Sequence, residues 1–92
     1  TEGAVAELTP VALAAWRADA RPFVLVDVRE PQETAAGTIP GARLVPLGTL
    51  AAAMDDLPRD RPVVLVCRSG MRSATAGRQL LAAGYRDVYS LA

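Results

Sequence analysis

The sequence has no histidine and no lysine, and it has one cysteine, Cys67, in 92 residues. Without histidine there is no Ser-His or Cys-His catalytic pair and no imidazole to bind a metal. One cysteine forbids an intrachain disulfide and a cysteine-based zinc site. All ten basic side chains are arginine, so Schiff-base lysine chemistry is excluded. Ten Asp and Glu balance them to a net charge of zero. A neutral chain lacks the basic face of a nucleic-acid-binding domain and the charge needed for electrostatic attachment to a membrane. No apolar run approaches the ~20 residues of a membrane-spanning helix, and no charged-then-apolar leader opens the chain. It begins at Thr1 without Met, which leaves a removed leader or a parent chain open. A lone thiol fits a reducing compartment, so a cytoplasmic location is expected. What remains is the chemistry of Cys, carboxylates, hydroxyls, Arg and backbone amides, with no cofactor and no metal expected.

What is present is a hydrophobic half of the composition, 51%, sorted into short β-type runs that alternate with helical patterns. That alternation predicts an α/β domain with a mostly parallel sheet. The length predicts one domain over residues 1–92. Residues 6–8 read as an edge strand. Thr9-Pro10 reads as an N-cap with proline in the first turn, opening a helix that fades near Asp19. Residues 23–26 and 63–66 are apolar without alternation, as in parallel strands covered on both faces. Between them the pattern predicts a short helix over 31–36, a brief strand over 43–45 and a helix over 47–56. A helix over 73–83, ended by Gly84, and a last strand over 88–91 complete the chain.

The chemistry concentrates in Val66-Cys67-Arg68-Ser69-Gly70-Met71-Arg72-Ser73. It places a cysteine at the carboxyl end of a buried strand, followed by a tight loop and a helix start. Ligands bind at this end of open α/β sheets. Backbone N–H groups of the loop and the positive end of the next helix form an anion cradle there. Such surroundings lower a thiol pKa and favour the thiolate nucleophile without a general base. Cys67 is therefore the candidate nucleophile, with Arg68, Ser69, Gly70, Met71, Arg72 and Ser73 as its anion-binding loop. A buried structural thiol is the plainer alternative for a strand-end cysteine.

Three separated segments, in order, carry a resemblance. They are Val26-Asp27-Val28-Arg29-Glu30-Pro31-Gln32-Glu33, Gly37-Thr38-Ile39-Pro40-Gly41-Ala42 and the Cys67 segment. Together they resemble the rhodanese-like sulfurtransferase domains over nearly the whole chain. The resemblance implies a three-layer domain, with a sheet of about five strands flanked by helices on both faces. It implies that Cys67 cycles between thiolate and persulfide. The donor would be thiosulfate or a protein persulfide; the acceptor would be cyanide in vitro and a thiol or another protein in the cell. No nucleic acid and no membrane enter as partners. Asp27 and Arg29 would support the site from the neighbouring strand, with Arg29 paired to a carboxylate such as Glu33. Thr38 departs from the His common in the family, and Thr34 from an aromatic. The chain ends at Ala92, where many relatives continue through Gly-Gly and a further helix, so a domain trimmed at its C-terminus or one module of a larger chain is expected.

Two other functions fit parts of this pattern. A non-catalytic or carrier module would dock to a partner enzyme. A cysteine phosphatase or arsenate reductase of the same fold would need a longer loop, with Arg six residues after Cys67. That position is Ser73, and Arg72 comes one residue early. Among the other residues, Asp27 and Arg29 read as a strand-end surface pair, Met71 as a pocket-rim residue, and Trp16 as packing against the sheet edge.

Overall fold

The two apolar runs form the centre of the sheet. In the computed structural model, which describes residues 5–67 and 71–91, β2 (Val24–Asp27) and β4 (Val63–Val66) are buried at every position. They pair in parallel, with Asp27 opposite Val66. β3 (Arg43–Leu44) extends the sheet beyond β2. β5 (Val88–Leu91) pairs with β4, and β1 (Ala6–Leu8) closes the other edge. The order is β1-β5-β4-β2-β3, and all pairings are parallel. The chain leaves β2 toward one edge and leaves β4 toward the other. The carboxyl ends of these two strands are thus the point where the connections diverge, the place where open α/β sheets form a crevice.

Successive strand side chains point to opposite faces, so the sheet has two cores. Val26, Val63, Leu65 and Val88 pack with Leu50, Ala76 and Leu80. These helical residues come from α3 (Leu50–Ala53) and α4 (Met71–Ala82). Leu25, Val64 and Val66 pack with Leu13 of α1 (Pro10–Ala18) on the other face. The expected three-layer α/β architecture is the one observed. The Thr9 side chain caps α1 by accepting from the Ala12 N–H at 3.1 Å, with Pro10 in the first turn. Trp16 packs edge-on against both Phe23 and Tyr89. α2 (Pro31–Thr34) is a single turn.

Three helices differ from the sequence expectation, the first being α2, which ends at Thr34 rather than at residue 36. Residues 47–56 are not one continuous helix: 3₁₀ turns Leu47–Thr49 and Met54–Asp56 flank the four residues of α3. Only Leu50 of this stretch is fully buried, and the Tyr85 hydroxyl donates to the Met54 and Leu57 carbonyls at 2.7 and 2.6 Å. Tertiary hydrogen bonding therefore ends the segment where periodicity alone would continue it. α4 starts at Met71, two residues before Ser73, because the first turn needs no side-chain periodicity to form.

Gly77 lets α4 lie close on β5. A Cβ there would stand 2.5 Å from Val5 Cγ2 and 3.3 Å from Val88 Cγ1. Alanine gains about 1 kcal/mol in helix propensity over glycine. Overpacking costs about 1–3 kcal/mol, and Val5 has only a short branched side chain to move aside. Gly77→Ala is expected to destabilise the fold by up to about 2 kcal/mol, read from the urea midpoint at unchanged slope. A variant as stable as the wild type would show that Val5 moves freely.

Candidate active site

Cys67 follows β4 directly and is half-buried. Its Sγ accepts the backbone N–H of Ser73 at 3.3 Å and lies 3.5 Å from Ser73 Oγ. Ser73 is the third residue of α4, so this N–H belongs to the first-turn donors that have no partner within the helix. The sulfur thus meets the positive end of a 12-residue helix, which favours negative charge on it. The sequence places this thiol before a helix start, and the structure sets its sulfur against the Ser73 N–H of α4. Met71 and Arg72 are helical, however, where the sequence predicts loop, and Ser73 lies in the helix that the sequence predicts to start there. Arg68, Ser69 and Gly70, assigned to the same anion-binding loop, lie outside the described residues. Met71 is 76% exposed beside the site, in keeping with a rim position.

An open cleft of about 560 Å³ lies in front of Cys67. Among the described residues it is lined by Arg29, Gly37, Thr38, Ile39, Pro40, Val66 and Cys67. Its far wall is the 37–40 turn, and Asp27 fixes that wall. Asp27 is fully buried at the end of β2. Its carboxylate accepts the Arg29 backbone N–H at 3.0 Å, Arg29 Nη2 at 2.8 Å and the Thr38 hydroxyl at 2.8 Å. Arg29 Nη2 also donates to the Gly37 carbonyl at 2.7 Å, and Arg17 donates to the Pro40 carbonyl at 2.6 Å. Burial pushes the Asp27 carboxyl up, but the hydrogen bonds from Arg29 and Thr38 and the Arg29 charge outweigh it. The net effect holds Asp27 below the usual carboxylate range.

Arg29 therefore pairs with Asp27, correcting the expected pairing with Glu33. An i to i+2 spacing lets the guanidinium fold back on the carboxylate beside its own backbone. The Asp27–Arg29 pair is also not a surface pair, since its carboxylate is sealed from water. Thr38, which departs from the family's common His, supplies one of the donors that hold this carboxylate.

Glu33 instead receives Arg72, 39 residues away, through Nη1 at 2.6 Å and Nη2 at 2.9 Å. This forked pair ties α2 to the first turn of α4, across the site. Glu33 also accepts the Glu30 N–H at 3.0 Å. The Arg72 hydrogen bonds, then the Glu30 N–H, pull the Glu33 carboxyl down to about 2. Arg72 is made more basic chiefly by Glu33, with a smaller pull from Cys67. A depressed carboxyl contributes stability that is fully present above its ordinary pKa of 4.5 and is lost as pH falls toward 2. The urea-midpoint gap between wild type and Glu33→Gln should accordingly be open at pH 6 and narrow between pH 4.5 and about 2. A gap of constant width over that range would assign the pair no role in stability.

Ser90 is a site residue that sequence reasoning missed. Its hydroxyl lies 2.5 Å from Ser73 Oγ in the buried layer between β5 and α4. The available signal was a serine two residues after Val88, on the inward side of an otherwise apolar strand. Among the described residues there is no group of three or more His, Cys, Asp or Glu able to hold a metal ion. No helix among them is long and apolar enough to cross a membrane.

Known proteins resemble this chain over most of its length. A family model described as rhodanese-like domain matches residues 9–92. A sulfurtransferase of Allochromatium vinosum is 40% identical over 87 residues, covering 95% of this chain and 81% of its own. The thiosulfate sulfurtransferase GlpE of Pseudoalteromonas translucida is 36% identical over 73 residues, covering 79% of this chain and 70% of its own. Among solved structures, the human single-domain sulfurtransferase TSTD1 superposes with a TM-score of 0.85 at 27% identity, covering 94% of this chain and 88% of its own.

Proposed function

The chain belongs to the rhodanese-like domain family, and from that membership we propose that it is a sulfurtransferase in which Cys67 carries the transferred sulfur. The observation that supports this most is the Cys67 sulfur itself. It stands at the mouth of a cleft, at the divergence point of the sheet, with a helix N-terminal N–H directed at it.

In the proposed cycle the Cys67 thiolate attacks the outer sulfur of thiosulfate. The bond between that sulfur and the sulfonate sulfur breaks, and sulfite leaves with the electron pair. Cys67 then bears a persulfide anion. Donors at the start of α4 stabilise this charge as an oxyanion hole does. A nucleophilic acceptor, cyanide in the assay, takes the terminal sulfur, and the Cys67 thiolate returns. This is ping-pong chemistry with a covalent intermediate. A protein persulfide can replace thiosulfate as donor, and a thiol or protein can replace cyanide as acceptor. With one cysteine in the chain, no internal thiol resolves the persulfide, so the sulfur passes to an external acceptor. The proposed setting is the cytoplasm, where a lone thiol stays reduced.

Intact-mass spectrometry tests the reading. After incubation with thiosulfate the reduced protein should gain the mass of one sulfur, and cyanide should strip it off. If thiosulfate leaves no adduct on the folded protein, the same measurement with a persulfidated protein donor decides between a carrier role and failure of the sulfurtransferase reading.

A further inference from the structure

Ser90 carries a buried hydroxyl that the cycle above does not use. Its Oγ is 2.5 Å from Ser73 Oγ, and Ser73 reaches Cys67 Sγ through both its N–H and its hydroxyl. Ser73 is 0% exposed and Ser90 is 7% exposed, so bulk water offers neither hydroxyl an easy alternative partner. Each serine has one proton to donate. While Cys67 is a thiol, its S–H can donate to Ser73 Oγ. Once the sulfur is ionised it only accepts, and the Ser73 hydroxyl at 3.5 Å can turn its proton toward it. The contact between the two serines then remains a hydrogen bond only if Ser90 donates to Ser73.

We propose that Ser90 is a positioning residue for Cys67: its hydroxyl donates to Ser73 and turns the Ser73 proton onto the ionised sulfur. The inference rests on the reading of Cys67 as the sulfur-carrying nucleophile. Hydrogen bonds in such a chain polarise one another, strengthening each by roughly 10–30%. Among the described residues, the charged groups nearest the sulfur are Arg72, paired with Glu33, and Arg29 on the cleft lining, paired with Asp27. None of them touches Ser90, so substitutions there leave these pairs in place.

The test is the pH profile of Cys67 alkylation by iodoacetamide. Ser90→Ala is expected to raise the midpoint by about 0.3–0.6 pH units and to slow alkylation about two- to fourfold below it. Ser90→Thr should restore the wild-type profile, whereas Ser90→Val, of the same shape without the hydroxyl, should not. That pair keeps the question open to measurement if Ser90→Ala fails to fold. In a Ser73→Ala background, removing the Ser90 hydroxyl should change nothing further, because the relay is already cut. An unmoved midpoint in folded Ser90→Ala, or equal profiles for Thr and Val, overturns the proposal. So does an undiminished shift in the Ser73→Ala background. Sulfur loading measured in parallel separates the two readings. A protein that takes no sulfur from any donor, yet whose midpoint follows the Ser90 hydroxyl, overturns the sulfurtransferase reading and supports the relay.

Discussion

Cys67→Ser is expected to lower sulfur transfer from thiosulfate to cyanide by at least ~1,000-fold, to the background of the uncatalysed reaction. A serine hydroxyl stays protonated at neutral pH unless a base activates it, and this chain has no histidine to do so. The helix end that favours a thiolate is too weak to ionise an alcohol, since its effect is worth about 0.3–2 kcal/mol. The change is nearly isosteric at a half-buried position, so stability should shift by less than about 1 kcal/mol. Loss of activity with an unchanged urea midpoint would therefore locate the defect in the chemistry. Intact-mass spectrometry gives the second readout: the variant should acquire no sulfur from thiosulfate or from a persulfidated protein. A Cys67→Ser protein that still releases thiocyanate at the wild-type rate would overturn the assignment of Cys67.

The second large effect is on the fold. Asp27→Ala is expected to cost about 3–5 kcal/mol, the range for removing one partner of a buried ion pair. At 0% exposure water does not replace the lost acceptor. The Arg29 guanidinium, the Arg29 backbone N–H and the Thr38 hydroxyl all lose the acceptor they share. For a domain of this size each kcal/mol lowers Tm by roughly 4–8 °C, so a drop of at least about 12 °C should appear in a thermal scan. The far wall of the cleft should loosen with it, because Gly37 and Thr38 are tied to β2 through this cluster. Asp27→Asn keeps the shape and some hydrogen bonds but loses the charge, and should fall between wild type and Ala. The two effects separate the neighbouring strand ends: Cys67 matters to the reaction, Asp27 to the frame around it. A Tm for Asp27→Ala within about 2 °C of wild type would mean that Arg29 and Thr38 find other acceptors at little cost.

Much of this was legible along the chain. The unbroken apolar runs at 23–26 and 63–66 read as strands covered on both faces, and they fall on the two central strands, with β2 starting one residue later, at Val24. Thr9-Pro10 marked a helix start correctly because capping is a local effect. The apolar spacing of the 47–56 stretch suits one continuous helix. The 3₁₀ turns there depend on contacts such as the Tyr85 hydroxyl on the Met54 and Leu57 carbonyls, far along the chain. Charge partners were less legible still. Arg29 lies four residues from Glu33 and two from Asp27, and sequence distance alone does not rank the two carboxylates.

The α/β class, the parallel sheet and the place of the single thiol at the end of a central strand can all be read along the chain. Those features follow from local propensity, from apolar runs and from turn residues, all of which act between near neighbours. Which groups surround that thiol depends on how the helices pack on the sheet. That packing brought Arg72 to Glu33 across 39 residues, put Thr38 on the carboxylate of Asp27, and set Ser90 behind Ser73 and the Cys67 sulfur. Each of these contacts joins segments that only the stacking of helices on the sheet brings together. Hydrogen bonds and ion pairs act over a few ångströms, so their partners are set by that packing rather than by position along the chain.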